Sequence, residues 1–322
     1  MKKVGVLIAV VCLLFSFAGC SAGGKQNDDQ SKTRLGLSVY ATDDVDEDEA
    51  SVTAVVAAVL TDDDGVILAC RLDEIEVGPK IEGGKLQEVT DFRTKGERGN
   101  EYGMKAAGAK QEWFEQAGAF CKYVVGKTAN EVAGIETKDG KPTDSDLTAG
   151  CTIDITDFMA AVSEAAKDAK EYAVSASDKL GIAVTASRYA ESDDTQPRYD
   201  FVFSAVSVSA DGKLTGCAVD ELQKTFAVAS GAFTENTEAA DRLKTKKQLG
   251  DDYGMKAASG IGKEWKDQAA HLAQYLTGKS SAEMTEIPLK DGKPTEADLV
   301  AGCTISVTGM LENVQKAMKN AA

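Results

Sequence analysis

Apolar residues along this chain follow a strand-like period first and a helix-like period later, and this order occurs twice. The strand-like runs are residues 35–40, 52–60, 180–185 and 201–208. Tyr199, Phe201 and Phe203 alternate with polar or exposed positions, which is the period of a half-buried strand. Asp64-Gly65 and Asp211-Gly212 each separate two apolar runs, an arrangement typical of hairpin turns. The front of each half is therefore predicted to be an antiparallel sheet.

The apolar period lengthens to that of an amphipathic helix around each of the two tryptophans. One face carries Trp113, Ala117, Phe120 and Val124 in the first half, and Trp265, Ala269, Leu272 and Leu276 in the second. Thr128 with Glu131, and Ser280 with Glu283, have capping-box spacing, which predicts a second, shorter helix. A third periodic segment closes each half, and the alanine-rich residues 160–173 are predicted to continue as helix into a linker near 175–179. The predicted fold class is α+β.

The two halves also share sequence landmarks in one order. Residues 146–153 read Asp-Leu-Thr-Ala-Gly-Cys-Thr-Ile, residues 298–305 read Asp-Leu-Val-Ala-Gly-Cys-Thr-Ile, and Asp-Gly-Lys-Pro-Thr stands before each. Earlier matching landmarks are Asp73-Glu74 with Asp220-Glu221, Tyr102-Gly103-Met104-Lys105 with Tyr253-Gly254-Met255-Lys256, and Trp113 and Gln116 with Trp265 and Gln268. Such self-similarity predicts a tandem duplication of one domain. The predicted copies span residues 34–174 and 175–322.

The first residues have the composition of a targeting segment. Lys2-Lys3, an apolar run over residues 4–17 and then Ala18-Gly19-Cys20 predict a signal peptide over residues 1–19. The small residues before Cys20 resemble a bacterial lipobox, which makes Cys20 the lipidated first residue of the mature chain; an unprocessed membrane anchor is the alternative. Residues 20–33 are polar and have the composition of a flexible tether. The expected location is extracytoplasmic, lipid-anchored to the bacterial cell membrane.

Charge and histidine content exclude several functions. A formal net charge of -16 repels phosphate backbones and argues against nucleic acid as a partner. The single histidine, His271, aligns with Ala119, so no histidine-based catalytic or metal site can occur in both halves. No catalytic residue and no metal ligand are predicted, and an electron carrier or binding protein is favoured over a stand-alone enzyme.

Five cysteines follow Cys20, and none belongs to a Cys-x-x-Cys pair. They are Cys70, Cys121, Cys151, Cys217 and Cys303. Cys70 and Cys151 correspond to Cys217 and Cys303, which allows one disulfide in each half of an exported protein. The favoured alternative is buried thiols that behave as small apolar side chains. Cys121 aligns with Ala273 and so has no role common to both halves.

The repeated Asp-x-x-Ala-Gly-Cys-Thr stretch resembles the signature of the FMN-binding domain family. That family occurs in flavin-carrying subunits of sodium-pumping and Rnf-type redox complexes and in flavinylated bacterial lipoproteins. Its motif is Asp-x-x-Ser/Thr-Gly-Ala-Thr/Ser, and a separate flavin transferase esterifies the last hydroxyl to the phosphate of FMN. The matching positions are Asp146, Gly150 and Thr152 in the first half and Asp298, Gly302 and Thr304 in the second. Ala149 with Cys151, and Ala301 with Cys303, depart from the family pattern.

The resemblance implies one covalent FMN on Thr152 and one on Thr304, in an electron carrier supplied by a membrane redox donor. The glycines would let backbone approach the phosphate, and the aspartates would orient the hydroxyl or bind the transferase's metal. Further candidates to contact the flavin are Cys151, Cys303, Tyr102 and Tyr253, whereas the tryptophans are predicted to anchor the core. One alternative is a flavin-free surface lipoprotein that binds a small ligand or a protein partner. Another is that the threonine hydroxyl caps the following helix and the cysteine lies in the core.

Overall fold

The computed structural model describes residues 33–234 and 242–322. These described residues all belong to one compact unit. The predicted signal peptide, Cys20 and all of the tether before Thr33 lie outside the described residues. Within the described ranges, no helix combines the length and the apolar character that a membrane crossing requires.

The first large sheet is antiparallel and has the strand order β3-β2-β1-β8. Its strands are β1 (Thr33–Val45), β2 (Ala50–Thr61), β3 (Ile67–Val77) and β8 (Lys170–Val174). Two small hairpins accompany it: β4 (Ile81–Glu82) with β5 (Lys85–Leu86), and β6 (Thr137–Lys138) with β7 (Lys141–Pro142). The turn between β2 and β3 holds Asp64-Gly65, and Gly65 has a φ of 77°, which a glycine adopts without strain. The predicted hairpin is confirmed.

Short and long helices follow these strands. They are α1 (Lys95–Arg98), α2 (Trp113–Val124), α3 (Ala129–Ala133), α4 (Ser145–Thr148) and α5 (Thr156–Lys167), with a 3₁₀ helix at Gly99–Tyr102. The predicted apolar face of α2 is confirmed, since Trp113, Ala117, Phe120 and Val124 are all buried. Thr128 forms the predicted capping box with Glu131 at the start of α3.

The second large sheet is also antiparallel, with the order β11-β10-β9. Its strands are β9 (Lys179–Arg188), β10 (Arg198–Val208) and β11 (Leu214–Thr225), and two hairpins pair β12 (Ala227–Ala229) with β13 (Ala232–Thr234) and β14 (Leu289–Lys290) with β15 (Lys293–Pro294). The helices are α6 (Lys246–Leu249), α7 (Trp265–Leu276), α8 (Ser281–Thr285), α9 (Ala297–Val300) and α10 (Thr308–Lys319), with 3₁₀ helices at Gly250–Tyr253 and Met255–Ala257. The α+β class with antiparallel sheets and helices is confirmed.

The segment between the two sheets is not the helix that its alanines predict. Helix α5 ends at Lys167, and β8 then pairs with β1, where Leu35 lies opposite Lys170. Pairing with an existing strand outweighs the helix propensity of alanine, because propensity differences are only tenths of a kcal/mol per residue, about 0.7 at most. The first sheet is therefore completed by residues that come after its helices.

The two sheets pack face to face, and helices cover both outer faces. The shared inner core contains Leu35, Leu37, Val39, Val52, Ala54 and Val56 from the first sheet and Leu180, Ile182, Val184, Tyr199, Phe201 and Phe203 from the second. Outside, α2 and α5 bury the outer face of β2, and α7 and α10 bury that of the second sheet. The layers run helices, sheet, sheet, helices.

The inner faces of the two central strands differ in side-chain size. Strand β2 contributes Val52, Ala54 and Val56, whereas β10 contributes large aromatic rings. These rings are Tyr199, Phe201 and Phe203, all 0% exposed. The planes of Phe201 and Phe203 are nearly parallel, with centroids 6.4 Å apart. The small residues of one sheet leave the volume that the rings of the other occupy.

Candidate functional site

The Asp-to-Thr stretch of the first half is held in place by its apolar residues. Asp144 caps α4 and accepts the backbone N–H groups of Asp146 at 2.8 Å and Leu147 at 3.4 Å. Leu147 and Cys151 are buried in the core beneath α2 and α5. Asp146 and Thr152 are exposed. The stretch therefore anchors one face in the core and presents Thr152 outward.

The second half has a matching stretch around α9. Leu299 and Cys303 are both 0% exposed, while Asp298 is exposed and Thr304 is half-buried. The prediction that these cysteines are buried thiols is thus confirmed for Cys151 and Cys303. Burial raises the pKa of each of these two thiols to about 11, so they are protonated at neutral pH.

Each candidate threonine is held by a buried glutamine of the tryptophan helix. The backbone N–H of Thr152 donates to Gln116 Oε1 at 2.8 Å, and its hydroxyl donates to the same oxygen at 3.3 Å. The backbone N–H of Thr304 donates to Gln268 Oε1 at 2.9 Å, and its hydroxyl does so at 3.2 Å. Good O–H···O bonds are about 2.7–2.8 Å long, so the backbone bond fixes the residue and the hydroxyl is held loosely.

The other end of each glutamine is fixed as well. Gln116 Nε2 donates to the carbonyl oxygen of Gln111 at 3.2 Å, and Gln268 Nε2 donates to that of Lys263 at 3.1 Å. Gln116 is 1% and Gln268 is 0% exposed. A buried amide with partners at both ends has one orientation, which makes each glutamine a rigid support for its threonine.

The Tyr-Gly-Met-Lys loops lie beside these glutamines. In the first half, the N–H groups of Met104 and Lys105 both donate to the buried Glu112 carboxylate, at 2.9 and 3.0 Å. In the second, those of Met255 and Lys256 donate to Glu264, at 3.0 and 2.8 Å. The sulfur atoms of both methionines contact the glutamine amides, Met104 at 3.9 Å and Met255 at 3.5 Å. The structure thus brings this repeated loop next to the repeated threonine.

Tyr102 and Tyr253 each lie beside a lysine. Lys95 Nζ lies 5.2 Å from the centre of the Tyr102 ring, and Lys246 Nζ lies 5.2 Å from that of Tyr253. Trp113 and Trp265 are 4% and 2% exposed, as expected of core anchors. Both side chains are therefore almost wholly covered by the surrounding protein.

The contacts of the two glycines and the starts of α5 and α10 bear on the roles predicted for this stretch. A Cβ on Gly150 would lie 2.6 Å from Ala119 Cβ, and one on Gly302 would lie 2.2 Å from His271 Cγ. Gly150 thus packs closely against α2 and Gly302 against α7, and this packing by itself requires a glycine at both positions. The N-cap residues of α5 and α10 are Ile155 and Val307, and neither helix has a side-chain cap, so the helix-capping alternative is wrong.

The cysteines do not pair as the repeat suggests. All five described cysteines are free thiols, and the sulfur nearest to Cys70 belongs to Cys121, at 3.5 Å. Cys217 is 0% exposed. The disulfide between Cys70 and Cys151 is therefore not formed in the structure.

A second repeated cluster surrounds the Asp-Glu pairs. Asp73 accepts hydrogen bonds from Thr94 Oγ1 at 2.7 Å and the Gly96 N–H at 3.0 Å. Asp220 accepts them from Thr245 Oγ1 at 2.6 Å and the Lys247 N–H at 3.0 Å. Each aspartate thus ties the last strand of its meander to the first turn of a short helix. The sequence repeat drew attention to the two Asp-Glu pairs, but it did not predict which residues they contact.

The neighbouring glutamates form buried ion pairs with lysines. Lys246 Nζ lies 2.5 Å from Glu221 Oε2, with side chains 9% and 17% exposed. Lys95 pairs in the same way with Glu74, at 14% and 9% exposure. Burial raises the pKa of both glutamates, and the lysine partners oppose that rise.

The buried aspartates make the free energy of unfolding depend on pH. Burial raises the pKa of Asp73 and of Asp220 from 3.8 to about 6. Between pH 4 and 6 the folded state therefore binds more protons than the unfolded one, so each aspartate stabilises the fold at low pH and loses this contribution as pH rises through 6. The change is about 3 kcal/mol per aspartate, since one pKa unit corresponds to about 1.4 kcal/mol.

Urea unfolding of Asp220→Asn at several pH values between 4 and 7 is the measurement. The difference in unfolding free energy between the variant and the unsubstituted chain should grow in favour of the variant by about 3 kcal/mol from pH 4 to 7. Asp211→Asn, at an exposed turn, is the control and should show no such trend. Parallel pH curves for the unsubstituted chain and Asp220→Asn would contradict the raised pKa.

Among residues 33–234 and 242–322, no group of three or more His, Cys, Asp or Glu side chains is arranged to hold a metal ion.

No family model and no solved structure matches the chain. Chlorophenol reductase of Desulfitobacterium hafniense is 34% identical to it over 102 residues. The match covers 27% of this chain and 31% of that protein, so the chain spans about a third of the relative's length.

Proposed function

We propose that this chain is a lipid-anchored, extracytoplasmic electron carrier with two tandem FMN-binding-like domains. Each domain would carry one FMN esterified to a threonine, Thr152 in residues 34–174 and Thr304 in residues 175–322. Lipidated Cys20 would hold the protein at the bacterial membrane, near a redox donor in that membrane. The proposal joins the motif resemblance to the geometry at the two threonines.

The observation that carries the proposal is the shared support of the two threonines. In both halves a buried glutamine accepts the threonine's backbone N–H at 2.8–2.9 Å and its hydroxyl at 3.2–3.3 Å. Esterification removes the hydroxyl hydrogen and with it only the longer bond, while the backbone bond still positions the residue. A rigid, outward threonine with a weakly engaged hydroxyl suits a covalent attachment point.

The residues present fit such a group in their donor chemistry. Thr152 is exposed, so its hydroxyl is accessible to a transferase, and Thr304 is half-buried. Lys105 and Lys256, in the loop beside each glutamine, are exposed cations of the kind that bind phosphate, although Lys105 Nζ lies 2.6 Å from Glu115 Oε2 and would have to exchange that partner. FMN, when bound, supplies the redox chemistry. The chain itself supplies the attachment oxygen, its glutamine support and the positive charge.

Co-expression of the full chain with a flavin transferase tests the proposal. The denatured protein should fluoresce under ultraviolet light and carry the mass of two added FMN groups, because an ester survives denaturation. Thr152→Ala and Thr304→Ala should each remove one flavin, and the double variant should carry none.

Thr156→Ala is the matched control, because Thr156 is an exposed threonine of the same segment. It should keep both flavins. An unmodified mass for the unsubstituted chain, or flavin retained by the double variant, would refute covalent attachment at these two residues.

A second candidate is a flavin-free surface protein that binds a small ligand or a protein partner. A groove of about 800 Å³ between the two sheets' edges favours it. Phe114 and Val125, the exposed large apolar side chains of the described residues, both line this groove at 40% and 47% exposure. If the protein remains colourless after co-expression with the transferase, this groove becomes the candidate site for binding a ligand or a partner.

A further inference from the structure

The same groove contains two thiols that the repeat does not predict to meet. It opens between β3 and α2 of the first half and β9 of the second, where Leu180 and Ile182 form the opposite wall. Cys70 on β3 and Cys121 on α2 both line it. Cys70 is half-buried and Cys121 is 8% exposed, so a molecule entering from solvent reaches Cys70 first.

The two sulfur atoms are close enough to bond after a small movement. Their separation is 3.5 Å, and a disulfide requires about 2.05 Å. Changes in the two side-chain torsions can supply the difference of roughly 1.5 Å. The hydrogen bond that Cys70 donates to Cys121, together with burial, raises the pKa of Cys70, so Cys70 rests as a neutral thiol and must lose its proton before it can attack a disulfide.

We propose that Cys70 and Cys121 are a redox-active pair that closes to a disulfide by exchange with a low-molecular-weight disulfide. Cys70 loses its proton and its sulfur attacks one sulfur of oxidised glutathione, whose S–S bond breaks; the departing glutathione thiolate takes up a proton. Cys121 then loses its proton and attacks Cys70 Sγ, which breaks the mixed disulfide and releases the second glutathione as a thiolate that is protonated in turn. Two protein thiols are thereby oxidised by two electrons, and one glutathione disulfide is reduced to two thiols.

The second half lacks this pair and provides an internal comparison. Cys217 stands at the position of Cys70, but it is 0% exposed, and Ala273 stands at the position of Cys121. Closure would link β3 covalently to α2, the helix that carries Gln116, and leave α7 and Gln268 unlinked. The inference does not depend on flavin, since it uses only the two thiols and the groove.

The test is incubation of the full chain with oxidised glutathione, followed by alkylation under denaturing conditions and peptide mass analysis. The expected product has lost two hydrogen atoms, lacks two alkylation sites and yields a peptide that links Cys70 to Cys121. Cys217→Ser should give the same product. Cys121→Ser should instead retain one glutathione on Cys70, because the second thiol that displaces it is missing.

Hydrogen exchange by mass spectrometry gives a second measurement that needs no substitution. Oxidation should slow amide exchange in α2, while exchange in α7 of the same molecules stays unchanged. A stable glutathione adduct on Cys70 of the unsubstituted chain, a linkage between other cysteines, or no loss of thiols at all would each overturn the proposal.

Discussion

Gly181→Ala is expected to lower the free energy of unfolding by about 3 kcal/mol or more. Gly181 lies in β9, where a Cβ would stand 2.2 Å from the carbonyl oxygen of Ala317 in α10. The carbonyl oxygen belongs to the backbone and cannot rotate away as a side chain would, so the helix must shift from the sheet. Gly36 in β1 stands in the same relation to Ala165 of α5, at 1.9 Å, and Gly36→Ala should have a similar effect.

Urea unfolding, with the midpoint and slope compared to those of the unsubstituted chain, measures this effect. Gly118→Ala is the matched control, because Gly118 lies in α2 and a Cβ there meets nothing within 4 Å. That variant should be more stable by about 0.5–1 kcal/mol, since alanine favours helix. Equal midpoints for Gly181→Ala and the unsubstituted chain would show that α10 does not pack directly on β9.

Lys246→Met is expected to lower the free energy of unfolding by about 3–5 kcal/mol. The substitution keeps the length of the apolar stem but leaves the Glu221 carboxylate buried without a counter-charge. Lys246 Nζ also lies 5.2 Å from the ring of Tyr253 and 5.4 Å from that of Trp265, and both cation–π contacts would be lost.

The double variant Lys246→Met with Glu221→Leu separates these contributions. It should recover most of the lost stability, because a pair of apolar residues removes the uncompensated charge. Lys244→Met, at an exposed position just before α6, should stay within about 0.5 kcal/mol of the unsubstituted chain. A double variant no more stable than Lys246→Met would mean that the lysine acts through its contacts with the rings.

The sequence predicted most helices and strands, because the spacing of apolar side chains along the chain indicates which face of each is buried. The apolar face of α2 was found from Trp113 to Val124, and those are the observed ends of the helix. The first strand was predicted over residues 35–40 but extends over Thr33–Val45. Its polar end, where Asp43 lies opposite Val52, has no apolar signal because it is held by pairing with β2.

Contacts between distant segments had no such signal. The nearly continuous apolar run of β2 is typical of a strand that is buried on both faces. It cannot indicate that the sheet of the other half covers one of those faces. Likewise the repeat identified Gln116 and Gln268 as landmarks, but only the fold places them against Thr152 and Thr304. The repeat could not predict the contact between Cys70 and Cys121, because the second half has no cysteine at the position that matches Cys121.

The unequal side chains of the inner core make the two halves non-interchangeable. Val52, Ala54 and Val56 of β2 stand where β10 has Tyr199, Phe201 and Phe203, and all six share one core. Two first halves facing each other would enclose a void, and two second halves would bring aromatic rings into the same space. In this respect the two halves resemble the unlike subunits of a heterodimer joined in one chain. Substitutions on one inner face can persist only when the other face compensates for them, so the two halves must evolve together.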